Sequence, residues 1–258
     1  MARRVRWTMA NVTGVPDSVA PVRGLTEQEL FVLFQPIVDL RTGGILAHEA
    51  LVRCRHPLYP TPEVLFAQAV AEGAEGYLGA QIRKLACAGC PDSALFINVH
   101  PAELSARWLV RPDDPAAFHE HGVYLEITEA AAFEYFDLCM SVLREIRARG
   151  GVKLVVDDLG AGHSTITRVL ELEPSIVKLD GELVRGIDTD AEKQDVVGET
   201  VQLCQSLGAE VVAEHIERSE EAETVHKLGV RYGQGYLFAE PAAPAPLVGW
   251  RPKPGGKR

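Results

Sequence analysis

Residues able to do chemistry are gathered in seven short segments of this chain: His48-Glu49-Ala50-Leu51, Phe96 to His100, Leu125 to Glu129, Val155 to Gly160, Val177 to Asp180, Val211 to Glu217, and Tyr232 to Tyr236. Five of them end an apolar, β-prone run with carboxylate, amide or ammonium groups. Carboxylates brought together repel one another unless cations hold them, so the first chemistry implied is a metal site. The adjacent pair Asp157-Asp158 after an apolar run is the sharpest sign. Lys178 inside Ile176 to Asp180 is another, because a lysine in a strand interior needs a charged partner. Glu126 or Glu214 taken alone reads more readily as a helix cap or a solvated charge than as a catalytic group. His48, His100, His163 and His215 lie near these segments without zinc-like helical spacing, and read as supporting or surface groups.

Such groups converge only if the elements carrying them end on one surface, which the C-terminal strand ends of a parallel barrel provide. Eight segments have strand character: 32–40, 45–53, 95–99, 123–128, 153–158, 176–180, 210–216 and 231–238, rich in Val, Ile, Leu, Phe and Tyr and bounded by Gly, Pro or charge. Between the fourth and fifth, Phe133, Phe136, Met140, Leu143 and Ile146 recur at steps of three and four, predicting an amphipathic helix closed by Gly150. Val197, Val201, Cys204 and Leu207 repeat the rhythm before Gly208. Alternating strands and helices imply a parallel sheet. The first two strands are the exception, since Arg41-Thr42-Gly43-Gly44 is too short for a helical crossover and suits a hairpin, with Asp39 as a turn residue. The expected fold is α/β, a (β/α)8 TIM-like barrel with one antiparallel strand; an open doubly wound sheet is the alternative.

Composition bounds what such a barrel does. With 258 residues, 47% hydrophobic and 24% charged, the chain fits one large domain. Residues 25–241 are expected to form it, with 1–24 and 242–258 as loosely ordered Pro-, Gly- and Arg-rich tails. Three prolines make 53–63 the one long irregular stretch inside. A net charge of -10 and a pI near 5.3 exclude the broad basic surface that grips polymeric nucleic acid, leaving room for a small phosphate ester held locally. Five thinly spread cysteines suit a reducing cytoplasm, and Cys87-x-x-Cys90, with no second pair or nearby histidine, reads as structural. No membrane span or signal sequence is discernible.

The ordered set Gln35-Pro36-Ile37, Glu49-Ala50-Leu51 with Arg53, Asn98, Glu126-Ile127-Thr128-Glu129, Asp157-Asp158-Leu159-Gly160, Lys178-Leu179-Asp180, Ala213-Glu214 and Gln234-Gly235-Tyr236 resembles the EAL domain family, bacterial cyclic di-GMP phosphodiesterases, over about residues 30–241. The resemblance implies two divalent cations, Mg2+ or Mn2+, which together activate water and stabilise charge on the phosphoryl oxygens. It implies that Glu49, Asn98, Glu126 and Asp157 hold the first ion and that Asp157 with Asp158 helps hold the second. Lys178 and Glu214 would then position or deprotonate the attacking water, with Gln234 bonded in the same site. Glu129 would steady the loop Leu159 to Ser164. Gln35, Leu51 and Arg53 match positions that contact the cyclic dinucleotide, and the product would be linear pGpG. A homodimer is implied as well.

The chain departs from the family pattern at Leu159, usually Phe, at His163, usually Tyr, and at His215, usually Gly. Cys54 stands for Trp, and Ala239-Glu240 for Gly-Lys. His215 leaves a second reading open, a non-catalytic cyclic di-GMP receptor or protein-interaction module. A third is a metal barrel acting on another substrate. Only about two dozen irregular residues precede the domain, so control is expected from a partner protein, the dimer or expression level.

Overall fold

The computed structural model describes residues 21–26, 28–105, 109, 111, 113–149, 152–160 and 171–252. Its centre is a closed eight-stranded barrel whose strands follow chain order: β1 (Leu30–Asp39), β2 (Ile45–Cys54), β3 (Leu95–Asn98), β4 (Val123–Thr128), β5 (Val152–Leu159), β6 (Ile176–Leu179), β7 (Glu210–Ala213) and β8 (Tyr232–Gly233). All eight expected strands are present. β1 runs antiparallel to β2 and to β8, and every other pairing is parallel. Pairing of Val38 with Gly233 and Asp39 with Tyr232 closes the sheet, which rules out the open doubly wound alternative.

Asp39 shapes the reversing turn. Its carboxylate accepts from the N–H groups of Arg41 and Thr42, each at 2.9 Å, and its carbonyl accepts from Gly43 at 2.8 Å. Gly43 has φ 75°, a left-handed conformation glycine adopts without a Cβ penalty.

The barrel interior explains how the strands present chemistry. Ile37, Ala47, Phe96, Tyr124, Val155, Ile176, Val212 and Tyr232 form one buried cluster with a member from each strand. Phe96 and Tyr124 stack within it, ring centroids 4.4 Å apart. Side chains two positions apart share a strand face, so this apolar layer supports a polar one directly above it. Glu49 follows Ala47, Asn98 follows Phe96, Glu126 follows Tyr124, Asp157 follows Val155, Lys178 follows Ile176, Glu214 follows Val212 and Gln234 follows Tyr232. On reversed β1 the same step runs backwards, from Ile37 to Gln35.

Helices cover the outer faces. Behind β1 to β5 pack α1 (Pro62–Ala71), α2 (Glu75–Gly89), α3 (Pro101–Ser105), α4 (Glu129–Glu134) and α5 (Phe136–Arg149). α6 (Gly181–Val184), α7 (Ala191–Ser206) and α8 (Ser219–Lys227) cover the remainder. The helix expected from Phe133 is divided at Tyr135 into α4 and α5; Gly150, its expected end, lies outside the described residues. In α7, Val197, Val201 and Cys204 are buried as their spacing predicts, but Leu207 is 56% exposed. It caps the helix rather than continuing its stripe.

A buried ionic triad ties α2 to α3. The Arg83 guanidinium, 0% exposed, donates to Glu103 at 2.7 Å and to Asp114 at 2.8 Å. Gly79 makes room for it, since a Cβ there would stand 1.8 Å from Glu103 Oε2. Burial works against the guanidinium's charge, but Glu103 and Asp114 outweigh it and hold its pKa above the ordinary arginine value.

The stretch from Ala242, expected as a loosely ordered tail, is attached to the barrel as far as Pro252. Ala242 and Phe34 exchange backbone hydrogen bonds of 2.8 and 3.0 Å, and the Trp250 ring meets Phe238 edge-on at 5.2 Å. Val22 is buried too, within a short 3-10 turn. Prolines deny both stretches a periodic pattern while leaving them free to pack.

Candidate active site

Lys178, 0% exposed, stands at the centre of the polar layer. Its ammonium lies 2.6 Å from Glu126 Oε1, 2.7 Å from Glu214 Oε1 and 3.5 Å from both Glu49 Oε2 and Asp157 Oδ1. An amide frame surrounds these ion pairs. Asn98 donates to Glu49 Oε1 at 3.0 Å, and Gln234 donates to Glu49 Oε2 at 2.6 Å and to Gln35 Oε1 at 3.1 Å. Gln35 passes the chain on to the Ala239 carbonyl at 3.1 Å. The register explains the convergence: Gln35 is opposite Glu49, Asn98 opposite Glu126, and Thr128 opposite Asp157.

The electrostatics are lopsided. Glu49, Glu126 and Glu214 are each 1% exposed and Asp157 5%, and Asp158 adds a fifth carboxylate beside one ammonium. Burial, then the Glu49 charge, raise the Glu126 carboxyl well above the usual carboxylate range; Lys178 opposes this and Asp157 reinforces it. Donor atoms of Asp157, Asp158 and Glu214 lie within 4.8 Å of one another, near enough to share one ion. The oxygen-only donor set suits a hard divalent cation, so the residues present fit a metal. Among the described residues no such group includes Cys87 or Cys90. Both thiols are free, and burial pushes Cys87 up to about 11.

Asp158 and His215 both have left-handed backbones, φ 59° and 57°. For a residue with a Cβ this costs about 1–2 kcal/mol, which is the physical reason a glycine would suit position 215. Despite it, Glu214 keeps its contact with Lys178. Glu129 reaches the end of β5, its Oε2 accepting from the Gly160 N–H at 3.3 Å. Thr128 sets it there by capping α4, its hydroxyl accepting from Ala131 at 3.3 Å. Residues 161–170 lie outside the described residues, and with them His163 and the rest of the expected glycine loop.

Leu51 and Arg53 sit further along the Glu49 strand face, both half-buried. Arg53 Nη1 donates to the Val52 carbonyl at 2.7 Å. Burial lowers its pKa from the ordinary arginine value, while Glu49 and Glu63 pull the other way. Of the histidines expected to be supporting groups, His48 bonds Ser93 Oγ at 2.9 Å, and His100 Nδ1 accepts from the Ala102 N–H at 3.2 Å. Gly181 was not singled out by sequence; its importance arises from a contact across two loops, described below.

Barrel and carboxylate layer together define an α/β barrel with a strand-end site suited to divalent metals. The chain belongs to the EAL domain family, whose pattern, described as EAL domain, it matches over residues 20–241. It is 32% identical over 249 residues to the cyclic di-GMP phosphodiesterase RocR of Pseudomonas aeruginosa, covering 89% of this chain and 62% of RocR. It is 30% identical to the probable cyclic di-GMP phosphodiesterase PdeD of Escherichia coli, covering 90% of this chain and 46% of PdeD. The chain thus spans only part of these curated relatives. Among solved structures it resembles Klebsiella pneumoniae BlrP1 in a manganese/cyclic di-GMP complex, with TM-score 0.70 and 31% identity over 84% of this chain and 57% of BlrP1. The PaMucR phosphodiesterase in complex with c-di-GMP gives TM-score 0.74 and 25% identity over 84% of this chain and 93% of PaMucR.

Proposed function

We propose that this barrel hydrolyses cyclic di-GMP to linear pGpG with the help of divalent cations, Mn2+ or Mg2+. The observation carrying this reading is the charge deficit around Lys178, where one ammonium faces Glu49, Glu126, Asp157 and Glu214. A cyclic dinucleotide brings two more negative charges, so it enters such a site only if cations are there first. Names of the relatives and the ligands of the similar solved structures support the same substrate.

In this reading Glu49, Asn98, Glu126 and Asp157 hold one ion, and Asp157 with Asp158 helps hold a second. When bound, the ions supply Lewis acidity to the phosphoryl oxygen and acidity to the attacking water. Lys178, held by Glu126 and Glu214 and within 3.5 Å of Glu49 and Asp157, would place its positive charge beside the attacking water and the developing phosphoryl charge. Glu214 accepts the water's proton. Gln234 fixes the Glu49 carboxylate, while Gln35 braces Gln234 from behind and presents its remaining amide capacity to the dinucleotide. Arg53 turns its fork from Val52 to a phosphate, a bidentate contact lysine cannot copy, and Leu51 packs beside it. Glu129 anchors the backbone after the aspartate pair. Homodimerisation, a cytoplasmic location and control by a partner protein belong to the same proposal.

The receptor reading rests on His215, which could displace Glu214, and on the altered loop 159–164, most of which lies outside the described residues. The 2.7 Å contact that Glu214 keeps with Lys178 reduces the force of the first of these grounds. The deciding experiment incubates purified protein with cyclic di-GMP and Mn2+, then Mg2+, and separates substrate, pGpG and GMP by chromatography. Metal-dependent pGpG from the unsubstituted chain but not from Glu49→Ala is expected. Binding without turnover would assign the barrel to the receptor class.

A further inference from the structure

Two of the strand-end segments meet in a steric contact that no strand pairing requires. Glu214 and His215 form a two-residue arch pinned on both sides by Gln234: Ala213 accepts from the Gln234 N–H at 2.9 Å, and the Ile216 N–H donates to the Gln234 carbonyl at 3.0 Å. At its crest His215 takes φ 57°. Its side chain lies against the Cα of Gly181, the first residue of α6. A Cβ on Gly181 would stand 2.5 Å from His215 Nδ1, 2.7 Å from Cγ and 2.8 Å from Cβ.

The last distance matters most. Rotation about χ1 does not move the Cβ of His215, so any side chain at 181 must displace one of the two backbones. One residue before His215 is Glu214, and three before Gly181 is Lys178, whose ammonium lies 2.7 Å from the Glu214 carboxylate. Contact and ion pair therefore close a small ring joining the ends of β6 and β7. We propose that His215 seated on Gly181 is a positioning device that sets Glu214 against Lys178, so that this chain tolerates only glycine at 181 while histidine occupies 215. The proposal rests on the hydrolase reading above, and it makes His215 and Gly181 positioning residues.

The test compares four proteins: the unsubstituted chain, Gly181→Ala, His215→Gly and the double variant. Mn2+ affinity is read by water-proton relaxation, and kcat and KM are read with cyclic di-GMP. Gly181→Ala in the unsubstituted background is expected to weaken Mn2+ binding and lower kcat by about tenfold each, leaving KM nearly unchanged, as displaced supporting groups do. In the His215→Gly background the same change is expected to cost less than about twofold, the mark of a direct coupling. Equal losses in both backgrounds, or no loss in the unsubstituted one, would overturn the proposal. Should Gly181→Ala fail to fold, His215→Phe is read against His215→Gly: a ring retained on Gly181 is expected to preserve Mn2+ affinity and its loss to reduce it, and equal affinities would refute the contact's role. If the unsubstituted chain does not hydrolyse cyclic di-GMP, the hydrolase reading falls on that result, and the four Mn2+ affinities still decide on the contact.

Discussion

Among the described residues two clusters of buried charge stand apart, one around Arg83 and one around Lys178, and they differ in how carboxylates are matched by cations. Around Arg83, one guanidinium meets the two carboxylates of Glu103 and Asp114 at 2.7 and 2.8 Å, and the oxygens also accept backbone N–H groups of His100 and Ala116 at 3.1 and 3.0 Å. Each carboxylate therefore has both the guanidinium and a backbone donor, and Arg83 Nη2 is the one guanidinium nitrogen left without a hydrogen-bond partner among the described residues. Around Lys178, one ammonium serves four carboxylates, with Asp158 close by. Burial and its acidic neighbours hold Glu126 well above the usual carboxylate range. The first cluster has one carboxylate more than its guanidinium, whereas the second has several more than its ammonium, an excess that divalent cations would offset in the proposed reading. In the proposed reading, the smaller imbalance suits a group that holds the fold and the larger one a group that binds cations.

That contrast can be broken most forcefully at Arg83. Arg83→Met leaves Glu103 and Asp114 buried against an apolar side chain, and a loss of about 3–5 kcal/mol is expected from denaturant unfolding. Glu49→Ala should do the reverse. Melting without metal is expected to be unchanged or raised, because one of several repelling carboxylates is removed, while kcat falls by about a hundredfold or more, the scale of losing one group that stabilises developing charge.

Metal sharpens the contrast further. At about a hundred times its dissociation constant, Mn2+ should stabilise the unsubstituted chain by about 2.7 kcal/mol. Arg83→Met should retain that increment in a thermal-shift assay and Asp157→Asn should lose most of it. Gly79→Ala drives a methyl into the Glu103 carboxylate, and a destabilisation of about 1–3 kcal/mol is expected from the overpacking, with kcat per folded molecule unaltered. The smallest effect belongs to Arg53→Lys, where loss of the forked contact should raise KM for cyclic di-GMP about tenfold with kcat little changed, checked by steady-state kinetics.

The two clusters also differ in how well sequence discloses them. The strand-end set was legible because a strand repeats every two residues, so an apolar residue on the inner face announces what stands above it: Val155 leads to Asp157, and Ile176 to Lys178. Closure of the barrel was legible from the count of strands, and the reversed strand from the shortness of Arg41 to Gly44. The triad was not, because Arg83 in α2 reads as an ordinary solvent-facing helix residue until Glu103 and Asp114 arrive from elsewhere in the chain. His215 was singled out by sequence, but its contact with Gly181 escaped for the same reason, since it depends on two loops adjacent in space only. The packing of Ala242 to Pro252 was hidden by prolines that erase periodicity without preventing attachment. Leu207 shows the converse error, an apolar residue in correct helical rhythm that falls just past the helix end.

The central claim, that the excess carboxylates around Lys178 exist to hold divalent cations, is tested most directly by Mn2+ titration of the metal-free protein, counting bound ions by electron paramagnetic resonance. Two ions per chain, reduced in number or weakened in Asp157→Asn and untouched in Arg83→Met, is the predicted result. A chain that binds no Mn2+ at millimolar concentration, with or without cyclic di-GMP, would contradict it.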